Sequence, residues 1–381
     1  MSAIQLIAVV PSGLEAIAAR ELKRLGYEDL MVESGKITFA AEERAICRSN
    51  LWLRCAERVL VKIAEFPAKT PEELYEGVRS APWHEWIPED GAFPVTVECA
   101  KSALYDAQAC QAIVKKAAAD KLAMKYRKES LPETGACFRI DVSLLNDLAT
   151  VALDTSGAAL DERGYRRRQA APAVRETTAA AVVRLSRWTP DRPLYDPFCG
   201  SGTFLIEAAM IGWNIAPGLR RTYPSEHWPR IAPSMWKDAR EEAFDLVRDD
   251  VPLQLAGSDP DPEAVERARA YARAAGLGGD IRYESLPVEK MKAEGQYGVI
   301  ATHLPQVEPS GASRESDAAL RQLAARFQSL ETWSAFILSP AKQLEHYFPR
   351  KADRKQKMSD GRLDAQLFQF LGPSPPTLKR A

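Results

Sequence analysis

The chain has 381 residues, 46% of them hydrophobic and 27% charged, a balance that excludes a disordered polypeptide, a collagen-like fibre and a small disulfide scaffold. Fifty-one Lys+Arg against 52 Asp+Glu leave a net charge of −1, which excludes a uniformly basic nucleic-acid coat but permits local basic islands. No stretch approaches the ~20 uninterrupted apolar residues of a membrane span, and the length predicts two or three domains at ~150 residues each. Acids and bases are interspersed from the first residues on, with no basic stretch leading into an apolar core, so no signal peptide is expected. Cys47, Cys55, Cys99, Cys110, Cys137 and Cys199 are scattered without a CxxC pair. That pattern argues against structural zinc and a disulfide framework and for a reducing cytoplasm, and no metal partner is expected.

In chain order, IQLIAVV predicts a strand and PSGLEAIAARELKRLGY a helix, with Leu14, Ile17, Ala18 and Leu22 near helical spacing. ITFA predicts a second strand, followed by a helix through Ile46, Leu51 and Leu53. From 56 to 153 come a strand at RVLVKIAEF, a helix at PEELYEGVRS, a strand at FPVTVECA and a long helix at ALYDAQACQAIVKKAAADKLAMKYRK. The strands CFRIDVSLL and LATVALDTS close this part, with Asn146-Asp147 as a hairpin turn between them. This half reads as α+β.

A boundary is expected near 155–170, in the polar stretch DTSGAALDERGYRRR. Beyond it a helix at VRETTAAAVVRLSRW leads into PLYDPFCGSGTFLIEAAMIG, read as buried strand, Gly-rich turn and helix. QLAGSD with its following helix, YGVIATHLP, AFILSP and AQLFQFLG continue the alternation of strand and helix that marks a doubly wound sheet.

Two motifs carry chemistry. In Asp196-Pro197-Phe198-Cys199-Gly200-Ser201-Gly202-Thr203, glycines between a buried strand and a helix let backbone approach a ligand, and the helix start offers unpaired N–H groups. No Lys-Ser/Thr follows, so this is no Walker loop, and the third glycine of GxGxxG is missing, which disfavours a dinucleotide. A plain tight turn is the bland alternative. One strand later, Gly257-Ser258-Asp259 ends in an acid suited to a ribose diol, while Asp261 is placed to cap the next helix with Pro262 at its first position. Asp259 lies 57 residues after Gly202, not the ~20 of a simple nucleotide-binding unit. Asn214–Val251, rich in Trp, Arg and Pro, must therefore be an insertion in the crossover. Cys199, inside the turn without a partner base, reads as a packing residue rather than a nucleophile.

DERGYRRR, APAVRETTAAAVVRLSRW, DPFCGSGTFLIEAAMIGWNIAPGLRR and GSDPDPEAVERAR, in that order, resemble the RlmL-like, THUMP-containing guanine-N2 methyltransferases of bacterial large-subunit rRNA. FPRKADRKQKMSDGRLDAQLFQFLG is similar to their C-terminal basic segment and AKSALYDAQACQAIVKKAAADKL to their THUMP module, so the likeness covers essentially the whole chain. It implies an α/β protein with a ferredoxin-like segment at 1–60, a THUMP RNA-binding domain at 61–160 and a class I methyltransferase domain with a Rossmann-like doubly wound sheet at 161–381. It also implies S-adenosylmethionine at the carboxyl ends of the strands. Gly200, Gly202 and Thr203 would line the methionine end beside Asp196, with Cys199 and Ser201 in the same turn. Asp259 would hold the ribose, and Glu284 or Ser285 would lie near the adenine.

The chain departs from the family where the latter has Asn-Pro-Pro-Tyr followed by Gly-Glu-Arg. Here His303-Leu304-Pro305-Gln306 stands instead, followed by a small, polar stretch read as a loop, SGASRESDAALRQLAARFQSLETW. In the family pattern an Asn oxygen and the next carbonyl hold the target amine in line with the methyl group, catalysis by positioning, while the aromatic stacks on the flipped base. His303 through a ring nitrogen and the Leu304 carbonyl are the candidates for holding the amine, with only Pro305 in register and Gln306 in the aromatic's place.

Three basic islands suggest RNA as partner: Arg163, Arg166, Arg167 and Arg168; Lys115, Lys116, Lys121, Lys125, Arg127 and Lys128; and Arg350, Lys351, Arg354, Lys355 and Lys357. Lys101, Lys115, Lys116 and Arg166–Arg168 are the foremost RNA-contact candidates. Two readings compete: an rRNA guanine-N2 methyltransferase, and a silent descendant that binds rRNA or aids ribosome assembly. A dinucleotide oxidoreductase is disfavoured.

Overall fold

The computed structural model describes residues 3–166, 174–304, 314–340, 344–359 and 364–376. It divides into two compact units. The first comprises Met1–Val10, Ala19–Leu160 and Arg220–Ala243; the second comprises Pro11–Ala18, Asp161–Leu219 and Phe244–Ala381.

In the first half of the chain the elements are β1 (Ile4–Val9), α1 (Glu15–Arg24), β2 (Leu30–Glu33), β3 (Lys36–Ala41), α2 (Arg44–Trp52), β4 (Arg58–Pro67), α3 (Pro71–Ser80), β5 (Val95–Ala100), α4 (Ala107–Tyr126), β6 (Ile140–Leu145) and β7 (Leu148–Asp154). The seven strands make one sheet, β2-β3-β1-β4-β7-β6-β5. The ten-residue β4 pairs with β1 through its first half and with β7 along almost its whole length. The ferredoxin-like and THUMP stretches thus share a continuous sheet. Asn146 and Asp147 both take positive φ, 52° and 64°, the conformation a two-residue hairpin turn needs and Asn and Asp tolerate. Capping also follows the sequence. Thr70 and Glu73 close a capping box on α3, and the Asp106 carboxylate accepts from the Gln108 and Ala109 N–H groups at the start of α4.

The second half runs α5 (Glu176–Leu185), β8 (Leu194–Asp196), α6 (Thr203–Gly212), α7 (Pro233–Asp245), β9 (Leu255–Asp259), α8 (Pro262–Ala275), β10 (Ile281–Ser285), β11 (Val299–His303), α9 (Arg314–Gln328), β12 (Ser334–Ser339), β13 (Arg354–Ser359) and β14 (Asp364–Phe370). Its sheet has the order β10-β9-β8-β11-β12-β14-β13, with β10 to β12 parallel and β14 antiparallel to both neighbours. This is the doubly wound sheet the sequence predicts. Strand β12 is buried at every residue, as parallel strands covered on both faces are. Around it Leu320, Leu323, Phe327, Trp333, Phe348 and Phe370 form the core.

Two expectations need correcting. The polar stretch after 311 is not a loop: α9 spans Arg314–Gln328, with Leu320, Leu323 and Phe327 on its buried stripe. The insertion Asn214–Val251 does not belong wholly to the crossover either, since Arg220–Ala243 packs into the first unit. Trp228 stacks on Phe138 at 4.8 Å and donates from its indole N–H to the Cys137 carbonyl, while Tyr223 stacks on Trp236 at 4.9 Å and donates to the Asn50 carbonyl. A buried Trp hides on the order of 200 Å², worth roughly 5 kcal/mol before entropic costs. The aromatic richness of the insertion is thus anchorage.

Candidate active site

In the second unit β8 lies between β9 on one side and β11 on the other. The chain leaves β8 toward one flank and returns on the other, so a crevice opens at the carboxyl end of β8, where ligands of doubly wound sheets bind. The Asp196–Thr203 turn occupies that point. Because β8 to β11 are parallel, the ends of β9 (Asp259), β10 (Ser285) and β11 (His303) share its edge, with Asp259 and Ser285 directly paired.

The turn is tightly specified. Gly202 precedes α6 with φ +79°, and a Cβ there would stand 2.6 Å from the Tyr283 hydroxyl; only glycine fits. At Gly257 a Cβ would meet the Leu205 side chain at 2.5 Å, so α6 rests directly on β9. Gly200, in contrast, would project a Cβ into open space. Among the described residues that space is open to a ligand. Cys199 is buried, and burial together with Asp196 and Asp259 pushes its thiol far up. It is a packing residue with no thiolate to offer.

Asp259 ties turn to strand. Its carboxylate accepts from the Gly200 N–H at 3.0 Å and from the Asp261 N–H at 3.0 Å. Each carboxylate oxygen keeps a further lone pair for a donor such as a ribose hydroxyl. Asp261 in turn caps α8, accepting from the Glu263 N–H, with Pro262 in the first helical position.

Asp196 is 1% exposed, and burial raises its carboxyl to about 7, against hydrogen bonds from the Thr302 hydroxyl and the Phe198 N–H that lower it. Thr302 donates to Oδ1 at 2.6 Å, whereas Oδ2 has no hydrogen-bond partner among the described residues. A buried carboxyl oxygen without a partner among the described residues suits a cationic or N–H-bearing ligand.

On the β11 side, half-buried His303 closes the strand opposite Leu338. Leu304 is buried in the core cluster, and its N–H donates to the Leu338 carbonyl at 3.0 Å. Pro305 and Gln306 lie outside the described residues. Ser285, exposed at the end of β10, donates to the Pro260 carbonyl at 3.4 Å, and Glu284 pairs with Lys292 at 2.7 Å. Thr302 was missed in the sequence, since nothing in an apolar strand marks one threonine as the partner of an acid two segments away.

The basic candidates separate. Lys101 is exposed, with φ +50°. Lys116 is exposed on α4 and pairs with Asp120 at 2.7 Å. Lys115 is engaged: its ammonium lies 2.6 Å from Glu133 and 3.5 Å from the centre of the Phe93 ring. Arg163 is buried on Glu207 at 3.2 Å, and Arg166 contacts Glu176, the Val174 carbonyl and the Thr203 hydroxyl. Arg166 thus reaches the end of the Asp196–Thr203 turn and Arg163 the helix after it, and neither belongs to an exposed island. Arg167 and Arg168 lie outside the described residues. Among the described residues, no group of acids, histidines or cysteines could hold a metal ion, and no helix is long and apolar enough to cross a membrane.

Comparison with known proteins bears on this geometry. Residues 163–369 match the RMKL-like methyltransferase domain, residues 5–60 the RlmL ferredoxin-like domain and residues 68–154 the THUMP domain. The chain belongs to the RMKL-like methyltransferase family. A Bacillus subtilis protein named "Putative RNA methyltransferase YpsC" is 41% identical over 100% of this chain and 99% of its own. The structure of SMU.472 complexed with SAH is 38% identical with a TM-score of 0.93, covering 98% of this chain and 100% of that one. A Listeria monocytogenes structure described as "a predicted N6-adenine-specific DNA methylase" is 43% identical with a TM-score of 0.92, covering 97% of each chain. As a methyltransferase of this family the protein uses S-adenosylmethionine, and the open space at Gly200, the Asp259 carboxylate and the unmatched Asp196 oxygen fit such a cofactor.

Proposed function

We propose that this methyltransferase acts on RNA, transferring the methyl group of S-adenosylmethionine to the exocyclic N2 of a guanine in large-subunit rRNA, with the base turned out of its helix. The observation that carries the reading is the pairing, on adjacent strands of one sheet, of a cofactor turn at the end of β8 with His303 and Leu304 at the end of β11, on a chain that also carries a THUMP domain. The name of the Bacillus relative supports RNA, while the Listeria description names adenine N6 of DNA, an exocyclic amine as guanine N2 is. The cytoplasm is the compartment this substrate implies. Family membership gives a silent descendant no support.

The bound cofactor supplies an electrophilic methyl group. Asp259 would hold its ribose hydroxyls, the Gly200–Thr203 turn its methionine end and Ser285 the approach to its base. A neutral His303 would accept one N–H of the target amine through a ring nitrogen, and the Leu304 carbonyl the other. Orientation of the nitrogen lone pair is then the protein's contribution to rate. The methylated amine is acidic enough to lose its proton to water, so no general base is needed.

The reading is tested by incubating the protein and labelled S-adenosylmethionine with rRNA from cells lacking the protein, then digesting to nucleosides. Label in N2-methylguanosine is expected. Label on adenine, or on DNA offered in parallel and not on RNA, would overturn it.

A further inference from the structure

Behind the cofactor turn lies a buried set of charges that binding and transfer, as described above, do not use. Arg166 is 13% exposed in its side chain and Glu176, in the first turn of α5, 7%, with Nε and Oε1 3.1 Å apart. The same guanidinium donates to the Val174 carbonyl at 3.2 Å and to the Thr203 hydroxyl. Thr203 is the first residue of α6 and lies 3.2 Å, oxygen to oxygen, from the Ser201 hydroxyl. One planar fork therefore joins the stretch before α5, α5 itself and the ligand-facing start of α6. Helices α5 and α6 also pack on each other, and one turn further along α6 the buried Arg163–Glu207 pair repeats the link.

We propose that Arg166 is a positioning residue for S-adenosylmethionine: braced by Glu176, it fixes Thr203 and so sets the shape of the cofactor turn. The inference rests on the reading that this turn binds the cofactor. Arginine suits the task because a rigid fork of five donors serves several acceptors at once, which a lysine ammonium on a flexible stem does not. The arrangement also makes cofactor affinity sensitive to pH. Glu176 is raised to about 7, chiefly by burial, against the attraction of Arg166. The charged and titratable groups facing it are Arg163, Tyr165 and Arg166 before α5 and Glu207 on α6. Protonation removes the charge that braces Arg166, so the turn loosens as pH falls through about 7.

The test is calorimetric titration of the full chain with S-adenosylhomocysteine at pH 8 and pH 6, for wild type, Arg166→Met, Arg166→Lys and Glu176→Gln. Arg166→Met should bind at least about tenfold more weakly at pH 8, as loss of charge-assisted hydrogen bonds implies, with Arg166→Lys in between. Glu176→Gln should bind more weakly than wild type at pH 8, and the two should converge at pH 6; the ligand's own amine titrates equally in both. Thr203→Val should weaken binding, and adding Arg166→Met to it should cost little more. Wild-type affinity in Arg166→Lys and Glu176→Gln, both folded by circular dichroism and with unchanged pH dependence, would overturn the proposal, and these milder variants decide the matter if Arg166→Met does not fold. A wild-type protein that binds no S-adenosylhomocysteine would instead overturn the cofactor reading of the turn.

Discussion

The ends of β8 and β11 lie side by side in one sheet, yet they are built differently. At β8 almost every polar group is held: Asp259 grips Gly200, Thr302 grips Asp196, Arg166 grips Thr203, and Gly202 has no room for a side chain. At the end of β11 the Leu304 N–H donates to the Leu338 carbonyl, and half-buried His303 stands where the family that the sequence resembles has an asparagine. A cofactor is the same small molecule in every reaction and rewards a rigid cradle, whereas a base presented on RNA must be admitted and oriented by whatever side chains the strand end offers. Changes at His303 and Leu304 should therefore slow transfer without weakening cofactor binding, whereas changes in the turn after β8 should weaken cofactor binding first.

The largest effect is expected from Asp259→Ala. It removes the acceptor for two backbone N–H groups and the proposed acceptor for the ribose, and S-adenosylhomocysteine should bind about 100-fold more weakly by calorimetry. Gly202→Ala comes next: a Cβ at φ +79°, pressed against the Tyr283 hydroxyl, should cost about 2 kcal/mol in denaturant unfolding. Smaller, but specific, is a pH effect at Asp196. A buried carboxyl raised to about 7 binds its proton more tightly folded than unfolded, so it withdraws stability as pH rises from about 4 through about 7. If the cofactor's ammonium approaches Asp196, binding at pH 6 should release a proton, seen as a binding enthalpy that varies with the buffer's ionisation enthalpy. Asp196→Asn should lessen that dependence, leaving the share that Glu176 supplies. An undiminished dependence in Asp196→Asn would place the ammonium elsewhere and weaken the contrast between the two strand ends.

Local chemistry made much of this legible before the fold was known. The strand–turn–helix at 194–212, the acid at 259, the cap at Asp261 and the hairpin at Asn146-Asp147 each rest on neighbours in sequence. What the sequence hid depends on distant partners. Trp228 reveals nothing of Phe138, 90 positions earlier, so the insertion could not be assigned to the first unit. Arg163 and Arg166 read as part of a basic island until Glu207 and Glu176 are seen beside them. In α9 the helical spacing of Leu320, Leu323 and Phe327 was present but masked by small polar neighbours. Strand β13, RKQKMS, has almost no apolar residues; it is an edge strand paired, among the described residues, with β14 alone, and lysines there also discourage further strand addition.

The account is tested most directly by measuring, on the same preparations, methyl transfer from labelled S-adenosylmethionine to undermethylated large-subunit rRNA and the affinity for S-adenosylhomocysteine, for native protein and His303→Ala. Native protein should label a guanine. His303→Ala should transfer about tenfold more slowly or worse, in line with lost positioning, with its affinity for S-adenosylhomocysteine within about twofold of native. Equal loss of transfer and of cofactor affinity in His303→Ala, or native protein that binds S-adenosylhomocysteine and labels no RNA, would contradict the assignment of β11 to the target base.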